Sequence, residues 1–201
     1  MNSLLLRSRE IQFDHWLLPA FELRRREAVC IHFPREPLAE FSRIKAELVE
    51  ILIGRRSGCT LFGDIVHANP AQPRRAIFGF FRRDRVSKYL ARKGIAKNTT
   101  LDILKRVGLQ HDPYLDTYAG NTRLILGLEA AWAKRPAAIL FSTSTADGMG
   151  SQRAFQAVHD HLPECAAIHL SPMFTNGERD CLPGARCLSV LPIPSLLKQP
   201  A

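Results

Sequence analysis

The stretch of this chain that most limits its possible folds runs from residue 117 to residue 150. It opens with a polar turn at 119–122 that is typical of a helix start, with Gly for the turn and Asn or Thr for the cap. Apolar residues then recur at helical spacing as far as Pro136. The unbroken apolar run at 137–141 has the length of a strand buried on both faces, as in parallel sheets. This order of helix, buried strand and polar turn predicts an α/β fold.

Two further apolar runs have similar lengths and are also followed by polar turns. Together with the first run they predict three neighbouring buried strands at 29–33, 139–141 and 168–170. The N-terminal segment 3–13 predicts an edge strand, and the segment 20–33 predicts a hairpin return.

Helical periodicity fills much of the chain between these strands. An apolar stripe at 41–52 predicts a helix that ends near Gly54. The basic segment 86–108 predicts helices separated by a polar break at 98–100. Ser151 is expected to cap the helix that follows the polar turn.

The length of 201 residues is typical of one globular domain with a sizeable core. We predict a single domain at 1–191, with a small helical subdomain at about 84–135 and a loose tail at 192–201. No apolar run reaches the roughly 20 residues that a membrane span needs. The five cysteines are far apart and form no CxxC pair, which predicts reduced thiols rather than a disulfide framework or a metal site.

The chain carries a net charge of +9, from 28 Lys and Arg against 19 Asp and Glu. Its arginines cluster at 24–26, 55–56, 74–75 and 82–85. Such charge could serve nucleic acid, anionic lipid or an acidic protein. A solvated basic surface without any ligand is the alternative.

The order and spacing of residues 117–150 resemble the second half of an ABC-type ATPase. The turn at 118–122 stands where that family has its L-S-G-G-Q signature at the start of a helix. Ser142 and Thr143 occupy the positions of the Walker B Asp and the catalytic Glu, and residues 147–150 lie over the D-loop. The spacing is similar to that of the family without a gap.

Other parts of the family pattern can be followed along the chain in altered form. Residues 34–42 take the place of the phosphate-binding loop G-x-x-x-x-G-K-[ST] but contain no Gly and no Lys. The segment 57–64 resembles a Ser-Gly hairpin of the family, and 74–81 resembles the strand before the Q-loop, without its Gln. The switch His is missing at about Pro172, and Phe13 lies near the position of an adenine-stacking aromatic.

The resemblance implies an α/β fold of the P-loop-NTPase (ABC ATPase-like) type. Such a fold has a mixed sheet, an N-terminal region of antiparallel strands and a small helical subdomain. Because the motif residues are replaced, it also implies a degenerate member, a pseudo-ATPase with no catalytic residues and no metal site. ATP and Mg²⁺ would then be bound only through a partner subunit, facing the signature-position turn made of Ala119, Gly120, Asn121 and Thr122.

Such a protein would act as a dimerisation or docking partner. The implied partners are an active ABC ATPase subunit, a second copy of the chain, or a membrane permease. This implies a cytoplasmic location, with membrane association only through a partner. Two alternatives stay open: an active but divergent ABC ATPase that couples ATP hydrolysis to transport, and a basic nucleic-acid-binding module supported by charge alone.

Overall fold

The computed structural model describes residues 3–13, 16–33, 38–73, 84–172 and 181–193. Its strands are β1 (Leu4–Ser8), β2 (Ile11–Phe13), β3 (Trp16–Leu18), β4 (Phe21–Arg24), β5 (Ala28–Phe33), β6 (Cys59–Leu61), β7 (Ile65–His67), β8 (Ala138–Phe141), β9 (Ala166–Pro172), β10 (Arg186–Ser189) and β11 (Leu191–Pro192). The helices are α1 (Leu38–Leu52), α2 (Val86–Arg92), α3 (Lys97–Val107), α4 (Gly120–Trp132) and α5 (Gly148–His161), with a 3-10 turn at Leu115–Thr117.

The chain divides into two compact units. The first consists of Met1–His67, Pro136–Ser144 and Phe155–Ala201, and the second of Ala68–Arg135 and Thr145–Ala154. The first unit holds the sheets and α1, while α2, α3 and α4 lie in the second. Among the described residues, no helix is both long enough and apolar enough to cross a membrane.

A five-stranded parallel sheet in the order β10-β5-β9-β8-β7 forms the centre of the first unit. Strand β5 pairs with β9, and β9 pairs with β8. The prediction that 29–33, 139–141 and 168–170 form neighbouring buried strands is therefore confirmed. So is the predicted mixed α/β fold, because antiparallel strands accompany this sheet.

The two faces of the parallel sheet differ in chemistry. Side chains alternate between faces along a strand, and the first face carries the core that packs with α1. Its members include Val29, Ile31, Phe33, Leu140, Ile168, Leu170, Phe41, Ile44 and Leu48. The opposite face carries Cys30, His32 and His169, all of them buried. One side of the sheet is thus an ordinary apolar core, and the other is a buried layer with polar side chains.

The antiparallel strands differ from our expectations. The segment 3–13 is not one edge strand, because it forms two strands in different sheets, and β1 lies between β4 and β6. The exposed charges of Arg9 and Glu10 lie at the break between β1 and β2.

The two predicted hairpins are also wrong. Strand β4 pairs with β1, whereas β5 joins the parallel sheet. Likewise β6 pairs with β1, and β7 pairs with β8. In each case a short turn carries the chain from one sheet to another, which local sequence cannot distinguish from a hairpin.

Several helix ends and caps differ from the predictions. The break between α2 and α3 lies at Gly94, which adopts a left-handed conformation (φ 79°), and not at 98–100, which lies within α3. Helix α4 is capped by Ala119 without a side-chain hydrogen bond, so the expected Asn or Thr cap is wrong. Helix α5 begins before Ser151, and its cap is Asp147, whose carboxylate accepts the backbone N–H of Gly150 at 2.8 Å.

Several predictions fall outside the described residues. These are the first four residues of the altered phosphate-binding loop, at 34–37, the strand before the Q-loop at 74–81, and the tail at 194–201. The rest of that loop, at 38–42, is the first part of α1. Helix α1 matches the predicted stripe at 41–52 and is followed by Gly54 in a left-handed conformation (φ 77°).

Candidate functional site

The candidate site lies at the edge where the parallel strands end. In parallel sheets of α/β folds, ligands bind outside the carboxyl ends of the strands. Strand β8 ends at Phe141 and is followed by Ser142 and Thr143, both buried, and then by Ser144. Three successive hydroxyl side chains therefore leave the sheet at the position where ligand chemistry would be expected.

The hydroxyls of Ser142 and Thr143 are held by neighbouring neutral groups. The Ser142 Oγ lies 3.2 Å from the Ser144 Oγ and accepts the backbone N–H of Ser144 at 3.3 Å. The Thr143 Oγ1 lies 3.0 Å from His169 Nε2. Thus Thr143, which the sequence resemblance aligns with a catalytic glutamate, contacts an imidazole buried in the sheet.

His169 is a buried histidine with a partner on each side of its ring. Its Nδ1 lies 3.3 Å from the Cys30 Sγ, and its ring stacks on Phe141 with centroids 4.8 Å apart. Burial, together with nearby His32, lowers the pKa of His169 to about 3. The imidazole is therefore neutral at physiological pH, and His169 is a core histidine whose two ring nitrogens both have partners.

Lys45 contributes a positive charge to this edge of the sheet. Its Nζ donates to the Ser144 Oγ at 3.1 Å and lies 5.2 Å from the centroid of the Phe41 ring. Burial lowers the pKa of Lys45. Sequence reasoning missed this residue, although a lysine one helical turn after Phe41, beside the apolar stripe of α1, was a usable signal.

The donor set after β8 does not fit Mg²⁺-ATP. Mg²⁺ in nucleotide sites is held by carboxylates and phosphates, and hydrolysis also needs a group that positions water. Here Ser142 and Thr143 supply hydroxyls, and His169 is neutral and already bonded to Thr143. The ammonium of Lys45 suits an anion but replaces neither carboxylate. We therefore derive no hydrolytic step at this edge.

The signature-position turn lies in the second unit, where it packs against the loop that precedes α5. A β-carbon added at Gly120 would overlap the backbone carbonyl oxygen of Thr145. The Asn121 Nδ2 donates to Asp147 Oδ1 at 2.9 Å, and the Asp147 backbone N–H donates to Asn121 Oδ1 at 3.2 Å. Gly120 and Asn121 thus have structural roles, whereas Ala119 is exposed and Thr122 is half-buried.

Phe13 lies in the hydrophobic core of the first unit. Only 2% of its surface is exposed, and it belongs to the same cluster as Trp16 and Leu18. A ring that stacks on adenine must expose one face. Phe13 is therefore a core residue.

The basic residues are partly neutralised. In the part of the chain that the structure describes, exposed ion pairs join Arg7 and Arg24 to Glu22, Arg55 to Glu50, and Arg56 to Glu47. The arginine cluster at 74–75 and residues 82–83 lie outside the described residues. The second unit holds a separate open cavity of about 430 Å³ lined by Asn69, Pro70, Gln72, Tyr89, Arg92 and Lys93. Arg92 there is paired at 2.9 Å with the buried carboxylate of Asp84. These pairings give no specific support to a nucleic-acid site.

Sequence comparison and structure comparison give different results for this chain. No protein-family model and no curated protein matches its sequence. Among solved structures, CbiO1 from Clostridium perfringens, part of the ABC transporter complex CbiONQ, matches with a TM-score of 0.58 and 12% identity, over 98% of this chain and 91% of that chain. An inward-facing ABC transporter matches with a TM-score of 0.64 and 13% identity, over 85% of this chain and 73% of that chain.

A third match is a bacterial Atm1-family ABC exporter with ATP bound. Its TM-score is 0.60 at 12% identity, and the match covers all of this chain and 41% of the exporter chain. At 12% to 13% identity these likenesses establish the fold and nothing finer. The chain therefore has an ABC-ATPase-like fold.

Proposed function

We propose that this protein is a non-catalytic, ABC-ATPase-like subunit that acts by docking to a partner. The observation that carries the proposal is the identity and bonding of the two residues that follow β8. By the sequence resemblance, Ser142 and Thr143 correspond to two acids of the family, and their hydroxyls are bonded to Ser144 and His169. A fold kept without its acids fits a binding role better than a catalytic one.

The partner in this proposal is an intact ABC ATPase subunit. In the resembled family, the signature turn of one subunit closes over ATP held by the other subunit. The turn at 119–122 begins α4, whose N-terminal N–H groups and dipole favour a phosphate. CbiO1 is part of a transporter complex and the Atm1-family exporter binds ATP, which supports this mode of action. The protein would then be cytoplasmic and reach a membrane only through its partner.

Ala119 offers the sharpest test of this face. Substituting Gly120 would not test nucleotide contact, because any side chain there meets the Thr145 carbonyl. Ala119 is an exposed cap residue in extended conformation (φ −76°, ψ −178°), so Ala119→Glu can be accommodated by the fold. The added carboxylate also complements the helix dipole by about 0.3–1 kcal/mol, while it repels a phosphate from outside.

The experiment measures ATP-dependent association with an intact ABC ATPase subunit. We expect ATP to strengthen the wild-type complex, Ala119→Glu to weaken it, and the isosteric control Ala119→Gln to weaken it less. All three proteins should unfold at similar temperatures. Equal ATP-dependent association of the wild type and Ala119→Glu would show that this turn does not face nucleotide.

A further inference from the structure

A group of metal-ligating side chains lies on the polar face of the parallel sheet, outside the strand-end site. It consists of Cys30 and His32 from β5 and of Cys181, which precedes β10. One potential ligand atom from each residue lies within 4.8 Å of the other two. Cys30 and His32 are fully buried, and Cys181 is half-buried. Residues about 150 positions apart in the chain thus place two thiols and an imidazole around one point.

The register of the sheet adds a fourth candidate. Strands β10 and β5 are parallel, and Cys187 is the direct partner of Cys30 across the pair. Side chains paired in register point to the same face of a sheet. In addition, the Cys187 Sγ lies 3.2 Å from the Cys181 Sγ. The set of side chains is therefore three cysteines and one histidine.

We propose that Cys30, His32, Cys181 and Cys187 bind one Zn²⁺ ion. Three thiolates and one imidazole form a common tetrahedral ligand set for structural zinc. With Zn–S bonds of about 2.3 Å, ligand atoms lie roughly 3.8 Å apart. The ligand atoms of Cys30, His32 and Cys181 lie at most 4.8 Å apart, so these three residues would close by about 1 Å around the ion. The sulfur atoms of Cys181 and Cys187, 3.2 Å apart, would separate by about 0.6 Å. Cys187 is exposed and Cys181 is half-buried, so both side chains have room for these adjustments.

The surroundings of the four residues suit a metal centre. Histidine and thiolate ligands are commonly held by a second layer of hydrogen-bonding groups. His169 fills that role for Cys30 at 3.3 Å, and Thr143 in turn contacts His169 at 3.0 Å. A bound ion would join the segment at 181–189 to strand β5, so its role is structural. This inference does not depend on the proposed docking function.

The alternative to zinc binding is a disulfide bond between Cys181 and Cys187, whose sulfur atoms lie 3.2 Å apart. Disulfide formation and zinc binding change the mass of the chain and the number of available ligands differently. A disulfide removes two hydrogens and two of the four ligands, whereas zinc binding releases protons from the thiols and leaves the mass of the denatured, metal-free chain unchanged. Zinc content and intact mass therefore separate the two.

The test begins with full-length protein purified under reducing conditions in the presence of zinc. We expect one zinc per chain, released on treatment with a thiol-modifying reagent. The zinc-free protein titrated with Co²⁺ should develop thiolate-to-cobalt charge-transfer absorption and the visible bands of tetrahedral cobalt. We expect Cys181→Ser to lower the cobalt affinity at least 10-fold. Cys59→Ser, a half-buried cysteine bonded instead to the Ile51 carbonyl at 2.8 Å, should bind cobalt like the wild type.

Several results would overturn the proposal. These are wild-type protein without zinc, cobalt binding without thiolate charge transfer, and equal affinity of Cys181→Ser and the wild type. Loss of binding in Cys59→Ser, or a mass deficit of two hydrogens that persists in reductant, would also overturn it. If Cys181→Ser does not fold, the cobalt spectrum of the wild type decides the matter alone.

Discussion

Gly120→Ala tests whether the first residue of α4 is a glycine for reasons internal to the fold. Gly120 does not adopt a left-handed conformation, so backbone strain is not at issue. The obstacle is steric, because an added β-carbon would come well inside 3.0 Å of the Thr145 carbonyl oxygen, a limit that real β-carbons respect. Thr145 presents backbone there rather than a flexible side chain, so the loop before α5 must move.

The expected magnitude follows from two opposed terms. Overpacking of this kind costs about 1–3 kcal/mol, and Gly→Ala returns roughly 0.4–1 kcal/mol through the unfolded chain. We therefore expect Gly120→Ala to lower the free energy of unfolding by roughly 1–2 kcal/mol and the Tm by about 2–8 °C.

Gly148→Ala is the matched control, since Gly148 also begins a helix and an added β-carbon there meets no atom within 4 Å. The assay is urea unfolding of both variants beside the wild type, with hydrogen exchange of the α4 amides as the local readout. We expect Gly148→Ala to be neutral or stabilising by up to about 1 kcal/mol. Equal midpoints for Gly120→Ala and Gly148→Ala would refute the steric reasoning.

Two further predictions concern the second unit, each measured by chemical unfolding. Asp147→Ala should lower stability at pH 7 because Asp147 accepts the N–H of Gly150, a bond that lowers the pKa of this carboxyl below its usual 3.8. A carboxyl whose pKa is lowered in the folded protein stabilises the fold only at pH values above that pKa. The stability difference between Asp147→Ala and the wild type should therefore vanish as the pH falls below the pKa of Asp147. A stability difference that stays constant with pH would refute this prediction. Arg106→Ala should cost about 1–3 kcal/mol, because it leaves the Glu129 carboxylate, 8% exposed, without its 2.6 Å partner. The neighbouring control Lys105→Ala should change stability by less than about 0.5 kcal/mol, and equal effects would contradict the ion-pair argument.

The parallel sheet could be predicted from sequence because its signal is local. Each of the strands around 29–33, 139–141 and 168–170 is a short apolar run, and burial on both faces leaves that pattern in the residues themselves. The local sequence carries no signal that shows which sheet a strand will join. The turns after β4 and β6 look like hairpin turns, but whether the next strand pairs back depends on distant partners such as β9 and β8.

In the candidate site, too, positions along the chain could be predicted from sequence, whereas contacts between distant residues could not. Ser142 and Thr143 could be placed because they follow a recognisable strand. Their hydrogen-bond partners could not, because His169 reaches Thr143 only through the pairing of β8 with β9. The cysteines are the extreme case, since Cys30 and Cys181 are far apart in sequence and converge only in the fold. Gly120 could be recognised as a turn residue, but its close neighbour, Thr145, could not be identified from local pattern.

The most direct test of the non-catalytic assignment is the rate of Mg²⁺-dependent ATP hydrolysis by the purified protein. We expect a rate equal to the background without enzyme, and no change on Thr143→Ala or Lys45→Ala. The residues after β8 offer hydroxyls beside a neutral imidazole, whereas phosphoryl transfer uses carboxylates that hold Mg²⁺. An intact ABC ATPase assayed in parallel verifies the conditions. Mg²⁺-dependent turnover that disappears in Thr143→Ala, while that variant remains folded, would contradict the account.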